Sequence, residues 1–344
     1  RRWYGHDVAR RACDVDAHGV ITPRVTKQTL ALDVRWTTKT IRGTSVMRCG
    51  VEDAHTGGAR AFAGARVHAE GLTIERATIN GVECVATTSK ANAPSISSKT
   101  APSDALTLGK QCREYLDASS NVAGDEVSRE VIIQPADGSK IECAETDEGK
   151  QEIVIEITYC TEDESKGIVA DGKYFMCPGP TKRASNWFPC VERGDVLTLF
   201  EFSVSAPRHL QVITSAHWDR LEKCDADDFD DDGFRLRHYF SCMYPSFAHE
   251  MRMFLGKFRA HSSPVKGVTL FAPAGDEFKE RLEIAGAGVG KAITVFEEYL
   301  GHPYPVSCLN IVFLPDSYVT SRDEQGCCVN LLSTKWLLDK SFNS

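Results

Sequence analysis

One acidic run carries the residue types that bind calcium, at the spacing with which calcium-binding loops begin. Asp228, Asp230, Asp232 and Gly233 match the first half of an EF-hand loop, whose alternating oxygen ligands wrap a single ion. The twelfth position of that loop must supply a bidentate Glu, and Tyr239 stands there instead. The run therefore predicts an acidic hairpin tip rather than a calcium site.

A glycine-rich stretch, GAGVGK at 286–291, resembles a phosphate-binding loop. Such a loop needs a Gly five residues before Gly290, where Ala285 stands, and a Ser or Thr after the Lys, where Ala292 stands. The stretch also lies inside a helical pattern. We therefore predict no phosphate site here.

The stretch AHEMRMF at 248–254 begins like the zinc-binding helix HExxH, in which two His one turn apart hold one metal ion. Met253 takes the place of the second His, and the alternation favours a strand. No two of the ten His are four residues apart, so the sequence contains no zinc-helix motif. A composite site of His and Cys assembled by the fold stays open, but the sequence itself predicts no catalytic residue, no metal ligand and no cofactor.

The cysteines, the net charge and the apolar runs restrict the cellular compartment and the kinds of partner expected for this chain. The thirteen Cys are an odd number, scattered without a CxxC pair, which favours reduced thiols in the cytosol or nucleus. The net charge of −8 argues against a generic nucleic-acid binder, although residues 1–48 hold ten Lys/Arg against four Asp and leave a local basic surface open. No run of eighteen apolar residues occurs, so no membrane-spanning helix is predicted.

Most of the chain has the period-two pattern of β-strands that are buried on one face. The clearest strands are QTLALDVRW, QEIVIEITY and VLTLFEFSV, which place alternate apolar residues inward. Further strands are predicted at 67–79, 210–215, 235–243, 251–258 and 267–271. A stretch rich in Ser, Thr, Ala and Pro at 86–104 predicts a mobile insertion over 86–108.

After Pro273 the period changes to that of a helix over roughly 275–300, with Gly301 as its stop and a strand at 309–314. The predicted buried face comprises Phe278, Leu282, Ala285, Val289, Ala292, Phe296 and Tyr299. Three Gly inside the helix, at 286, 288 and 290, each cost about 1 kcal/mol relative to Ala. Close packing against a neighbour would explain them.

These patterns predict a mainly β fold followed by α/β. We expect a loosely ordered lead-in at 1–27, a β domain at 28–264 and the start of an α/β domain at 265–344, which the sequence truncates. The chain lacks an initiator Met and ends after an apolar run, so it is interpreted as a fragment of a longer protein.

Two stretches combine turn and strand residues in an order that resembles the zinc aminopeptidases of the aminopeptidase N type. Phe188-Pro189-Cys190 is similar to the Phe-Pro-Cys turn of that family, and Leu314-Pro315-Asp316 to one of its strand ends. The helix-to-strand link of the family is matched by Tyr299, Gly301, Pro303, Tyr304 and Pro305. The resemblance implies a saddle-shaped β-sandwich domain followed by a thermolysin-like peptidase domain.

The sequence departs from the family where the family binds its substrate. Val191-Glu192-Arg193 replaces an acidic Asp-Glu-Pro, and no Gly-Ala-Met-Glu-Asn loop occurs after the Leu-Pro-Asp strand end. The equivalent stretch, a degenerate peptidase substrate loop, comprises Glu324, Gln325, Gly326, Cys327 and Cys328. Cys327 would replace the Glu that captures the substrate's amino group in the family. A thiol is mostly neutral at pH 7 and pairs poorly with an ammonium group, so exopeptidase recognition should fail.

The sequence from Trp187 to Val191 and the sequence Leu-Leu-Ser-Thr at 331–334 resemble those of a non-catalytic branch of this superfamily, which belongs to the general transcription factor TFIID. That resemblance implies a nuclear scaffold that contacts other TFIID subunits and promoter DNA, with no membrane partner; the sequence does not identify DNA-binding residues. Two alternatives stay open. One is a divergent zinc aminopeptidase whose metal-binding helix lies beyond residue 344, and the other is a peptidase-like binding module outside transcription.

Overall fold

The computed structural model describes residues 14–16, 18–51, 61–90, 129–145, 151–162, 167–178, 183–224, 234–265, 267–304, 308–319 and 325–338. The fold is mostly β with few helices. The strands of the first half are β1 Asp14–Val15, β2 Val20–Thr22, β3 Val25–Arg35, β4 Thr40–Val51, β5 Ala61–Phe62, β6 Gly64–His68, β7 Leu72–Ile79, β8 Val82–Lys90, β9 Arg129–Pro135, β10 Ile141–Glu142, β11 Ala144–Glu145 and β12 Gln151–Thr161. Those of the second half are β13 Val169–Ala170, β14 Tyr174–Cys177, β15 Leu199–Pro207, β16 Gln211–Thr214, β17 His217–Lys223, β18 Arg235–Ser241, β19 Met253–Gly256, β20 Phe258–Ser262, β21 Val268–Pro273, β22 Leu309–Leu314, β23 Gln325–Gly326 and β24 Val329–Ser333.

The helices are few and mostly short. Within the described ranges the α-helices are α1 Lys279–Leu300 and α2 Lys335–Leu338. Single turns of 3-10 helix lie at Ala184–Asn186, Ala248–Glu250, Asp276–Phe278 and Asp316–Tyr318.

Across these ranges three main sheets form. The large sheet has thirteen strands in the order β1-β2-β6-β9-β8-β7-β12-β4-β3-β15-β18-β17, with β11 beside β12. The middle sheet has the order β13-β14-β19-β16, and the C-terminal sheet the order β20-β21-β22-β24-β23. A small pair, β10-β5, completes the described pairings.

The predicted alternation is confirmed in the long strands of the large sheet. Along β12, Ile153, Ile155, Ile157 and Tyr159 point inward and are almost fully buried, whereas the residues between them are half-exposed. Phe200 on β15 is buried in the same core. One face of these strands therefore builds the main hydrophobic core, as period-two patterns predict.

The middle sheet is buried on both faces and joins the two halves of the molecule. Phe175 and Leu255 pack into the core of the large sheet. Their neighbours Tyr174, Met176 and Phe254 pack on the opposite side, against the C-terminal sheet. The layers are therefore large sheet, middle sheet, C-terminal sheet and, outside the last, helix α1.

The C-terminal sheet has three parallel strands, β21, β22 and β24, flanked by antiparallel β20 and β23. Strand β20 begins at Phe258, so this sheet starts ahead of the expected boundary at 265. Helix α1 covers its outer face and ends at Gly301, whose left-handed φ of 68° confirms the predicted stop. The strand predicted at 309–314 is also confirmed.

Three sequence-based expectations need correction in the described residues. Residues 14–16 and 18–27 form β1, β2 and the start of β3, rather than a loose lead-in, because Val20 and Ile21 are buried in the large sheet. Residues 86–90 belong to β8, which pairs with β9; the rest of the expected insertion, 91–108, lies outside the described residues. The strand expected at 67–79 is two strands, because the chain turns at Gly71 with a φ of 68°.

The buried face of α1 also differs from the expected one. Gly286 and Gly290 are buried together with Leu282 and Ile293, whereas Phe296 is 62% exposed. The helix approaches β20 and β21 along its glycine side, so the close packing that would explain two of the three glycines is present. The apolar residues in the last turn point away from the sheet.

Candidate functional site

The segment expected to be a degenerate substrate loop is a tight β-hairpin. Strands β23 and β24 pair antiparallel through Gln325↔Asn330 and Gly326↔Val329, which leaves Cys327 and Cys328 as the two residues of the turn. Cys328 adopts the left-handed conformation with a φ of 57°. That conformation suits Gly or Asn and costs a residue with a Cβ about 1–2 kcal/mol. Glu324 lies outside the described residues.

The turn docks onto residues that precede the middle-sheet strand β19. The Ser246 hydroxyl lies 3.0 Å from the sulfur of Cys327 and donates a hydrogen bond to it. A Cβ on Gly326 would lie only 2.7 Å from the carbonyl oxygen of Glu250 and 3.0 Å from the Arg252 side chain. Glycine is therefore what lets the hairpin approach this closely.

The two cysteines of the turn lie next to a third cysteine, and we call Cys308, Cys327 and Cys328 the thiol cluster. The sulfur atoms of Cys327 and Cys328 are 3.5 Å apart. Cys308, which directly precedes strand β22, is close enough to Cys328 for each thiol to shift the pKa of the other. A fourth cysteine, Cys242, is buried close by, and burial raises the pKa of its thiol well above the usual range.

Interactions within the thiol cluster shift the pKa values of its three thiols in different directions. The Cys328 thiol, and after it the Ser246 hydroxyl, stabilises a thiolate at Cys327 against the cost of burial and lowers the pKa of Cys327 to about 7. The Cys328 thiol also lowers the pKa of Cys308. The pKa of Cys328 itself is raised, because it is the thiol that keeps its proton and shares it with Cys308 and Cys327. Cys327 is therefore not mostly neutral at pH 7, contrary to the expectation from an unperturbed thiol.

Two clefts lie in the described part of the chain. One of about 270 Å³ runs between the β17–β18 end of the large sheet and the C-terminal sheet; its lining includes Trp218, Phe240, Phe271, Cys308 and Asn310. The other, of about 410 Å³, lies on the large sheet and is lined by Asp33, Arg35, Arg42, Arg235, Arg237 and Tyr239, among others. Asp33 pairs with both Arg35 and Arg235, and Arg42 pairs with Glu75, so much of the positive charge in this groove is already neutralised.

The Trp-Phe-Pro-Cys stretch belongs to the core and not to a cleft. Trp187 and Phe188 are fully buried, with their rings edge to face at 4.5 Å. Gln28 donates a hydrogen bond of 2.7 Å to the carbonyl of Pro189, and Cys190 pairs with His68 through two backbone hydrogen bonds. The motif ties the turn to the large sheet.

The departure at Val191-Glu192-Arg193 is likewise structural. The Glu192 carboxylate accepts hydrogen bonds from the backbone and the hydroxyl of Ser185, and Arg193 pairs with Asp195. All four side chains therefore serve the local turn.

The rejected motifs are placed as follows. GAGVGK lies in the middle of α1, and the start of AHEMRMF is a 3-10 turn that leads into β19 rather than a helix. The acidic run 225–233 lies outside the described residues. Within the described ranges, no three His, Cys, Asp or Glu side chains are arranged to hold a metal ion, and no helix is long and apolar enough to cross a membrane.

Neither a family model nor a curated protein sequence matches this chain. Solved structures do match its fold. Native yeast LTA4 hydrolase superposes with a TM-score of 0.61 at 14% identity, over 91% of this chain and 41% of the hydrolase. Aminopeptidase A of Legionella pneumophila, in complex with aspartic acid, gives 0.60 at 10% identity, over 93% and 31%. A two-domain M1 zinc metallopeptidase bound to L-tryptophan gives 0.57 at 12% identity, over 89% and 58%.

These likenesses show the fold alone: the chain has the fold found in part of M1-type peptidases, and it spans about two fifths of the yeast hydrolase. The resemblance expected from the Phe-Pro-Cys and Leu-Pro-Asp motifs is confirmed at the level of fold. Sequence reasoning found the Cys327–Cys328 pair but missed that Cys308 meets it. The available signal was the position of Cys308 directly before the strand predicted at 309–314.

Proposed function

We propose that this chain is part of a non-catalytic relative of the M1 peptidases, a scaffold subunit of TFIID similar to its subunit 2. In this role it contacts other TFIID subunits and promoter DNA in the nucleus and contributes to initiator recognition and preinitiation complex assembly. The large sheet then corresponds to the saddle of the peptidases and the C-terminal sheet to the start of their thermolysin-like domain.

The docked hairpin is the observation that carries the proposal. Where the resemblance places the amine-binding Glu, this chain has Cys327, whose sulfur is engaged by Ser246 and Cys328 inside the turn. The close approach at Gly326 leaves no room for a side chain at that position. A half-ionised, hydrogen-bonded thiolate is a weak partner for the ammonium group of a peptide, because carboxylate–ammonium hydrogen bonds are the strong ones.

The expected loss of exopeptidase activity is large. Removing one partner of a buried charge pair costs about 2–5 kcal/mol, or roughly two to four decades in specificity at 1.4 kcal/mol per decade. We expect the complete gene product to turn over no aminoacyl reporter substrate with zinc present. We also expect it to enter a stoichiometric complex with recombinant TFIID subunits. Failure of that assembly would overturn the scaffold proposal.

A divergent zinc aminopeptidase is the second candidate, and the shared fold with yeast LTA4 hydrolase favours it. Robust turnover by the complete gene product that Glu324→Ala abolishes would establish this candidate, because it would show that a shifted carboxylate holds the amino group. A Glu201→Ala variant is the matched control, since the Glu201 carboxylate on β15 pairs with Lys27 on β3. A binding module outside transcription would show neither turnover nor TFIID assembly.

A further inference from the structure

Three thiols meet at the junction of the middle and C-terminal sheets, although they come from two separate segments of the chain. Cys308 precedes β22, whereas Cys327 and Cys328 form the turn that leads into β24. The backbone N–H of Asn310 donates a 2.8 Å hydrogen bond to the carbonyl of Cys328, which fixes the two segments side by side. The meeting is therefore built into the pairing of β22 with β24.

The thiol cluster is open to small solutes. Cys327 and Cys328 are partly exposed, and Cys308 lines the 270 Å³ cleft between the sheets. None of the three forms a disulfide in the structure. The titratable groups that face the cluster are Cys242, Glu250 and Tyr304.

We propose that Cys308, Cys327 and Cys328 form a thiol oxidation site that reacts with hydroperoxides and closes a disulfide between Cys308 and Cys328. This site is separate from any scaffold or peptidase role. Its co-reactant is a hydroperoxide such as hydrogen peroxide.

The first step takes place at Cys327, the thiol whose ionised form the cluster stabilises. Its sulfur attacks the distal oxygen of the hydroperoxide, the O–O bond breaks, and a sulfenic acid and an alcohol or water result. The Cys328 sulfur, 3.5 Å away, then attacks the Cys327 sulfur and forms an S–S bond. The hydroxyl leaves as water and takes the Cys328 proton.

The disulfide then moves, because neighbouring cysteines make a poor one. Adjacent Cα atoms are about 3.8 Å apart, below the roughly 4.4–6.8 Å that a relaxed disulfide spans. The thiolate of Cys308 attacks the sulfur of Cys328 and expels the thiolate of Cys327. Cys308 and Cys328 come from two segments that the Asn310–Cys328 backbone hydrogen bond holds side by side, so their bridge is free of the constraint on adjacent residues. Overall, Cys308 and Cys328 lose two electrons and two protons, and one hydroperoxide is reduced.

Trypsin offers a direct test, because it separates the two segments. Cleavage after Lys291, Arg322 and Lys335 yields peptides 292–322, which contains Cys308, and 323–335, which contains the other two. We expect the reduced chain, treated with stoichiometric hydrogen peroxide at pH 7 and then alkylated, to yield these two peptides cross-linked. Absence of the cross-linked pair, or a final product in which peptide 323–335 has merely lost two hydrogens, would overturn the proposal.

Variants test the order of the steps. Cys308→Ser should stop the reaction at the adjacent disulfide within 323–335. In Cys327→Ser the cross-link should form more slowly, because the variant lacks the thiol that reacts first, the one that the Ser246 hydroxyl contacts.

Cys84 is the matched control, because it is also partly exposed and burial raises the pKa of its thiol. Trapping of the sulfenic acid with dimedone in the unmodified chain should label Cys327 before Cys84. Equal labelling would refute the special reactivity of the cluster, and this measurement does not depend on any variant folding.

Discussion

Helix α1 carries three glycines whose surroundings differ sharply, and a pair of alanine substitutions should separate them. Nothing lies within 4 Å of a Cβ built on Gly288, which faces solvent. A Cβ on Gly286 would lie 2.7 Å from Cδ2 of His261 on β20. The two positions are two residues apart in the interior of the same helix, so the intrinsic helix preferences of the substitutions are matched.

The magnitudes follow from these distances. Gly288→Ala gains the helix propensity difference of about 0.8–1 kcal/mol with no compensating loss. Gly286→Ala gains the same amount but forces α1 or His261 to move, and overpacking of this kind costs about 1–3 kcal/mol. The net result is a loss of up to about 2 kcal/mol. With an unfolding entropy of about 2.1 cal/mol/K per residue, 1 kcal/mol corresponds to about 1–2 °C in Tm for a chain of this length.

Calorimetry of the purified chain, supported by urea unfolding, would measure both changes. Gly288→Ala should raise Tm by about 1–2 °C, and Gly286→Ala should leave it unchanged or lower it. If both variants gain equally, α1 does not pack on β20 through Gly286. If Tm rises in neither variant, the exposed Gly288 does not destabilise the helix, and the propensity argument fails for this helix.

Three further predictions concern single contacts. Cys328→Gly should stabilise the reduced chain by about 0.5–1 kcal/mol in urea unfolding, because it relieves the left-handed backbone at the hairpin turn. Arg235→Leu should cost about 3 kcal/mol in the same assay, since it leaves Asp33 without its buried partner. Tyr318→Phe should cost about 1 kcal/mol at pH 7, because it removes the hydrogen bond that Tyr318 donates to Asp171 from across the sheet junction. Burial raises the pKa of Asp171, but that hydrogen bond and two backbone N–H donors lower it overall; the cost of the Phe variant should therefore vanish as the pH falls below 3.8 through the lowered pKa.

Each of these has a control that should respond differently. Cys84→Gly, within strand β8, should destabilise, because glycine weakens a strand interior. Arg220→Leu removes an exposed pair with Glu222 and should cost less than about 1 kcal/mol. Tyr244→Phe alters an exposed ring and should show no acid dependence. A control that behaves like its partner variant would contradict the contact assigned to that partner.

The sequence pattern predicted the strands that are buried on one face only. Alternation identified β12 and β15 because only one face of each meets the core. It missed β4, where the inward positions include Gly43 and Ser45. Gly43 is buried because the Tyr159 ring lies directly over it, only 2.9 Å from where its Cβ would be, so a pattern that counts large apolar residues loses the strand.

The candidate site was predictable only in part, for a related reason. The hairpin's sequence showed that a carboxylate was missing and that two cysteines were adjacent. It did not show that Cys308 completes the cluster, because that contact depends on β22 and β24 lying side by side. The same limit applies to α1, where the glycine side rather than the side with Phe296 meets the sheet.

The middle sheet has a consequence for how this chain can be divided. Its strands contribute alternate residues to two different cores, so neither neighbour owns it. A truncation at Lys257, between β19 and β20, would strip Tyr174, Met176 and Phe254 of their cover and expose an apolar surface to water. The two halves should consequently be expressed and degraded as one unit. Recombination that exchanges one half between relatives should succeed only when the middle sheet is exchanged with it.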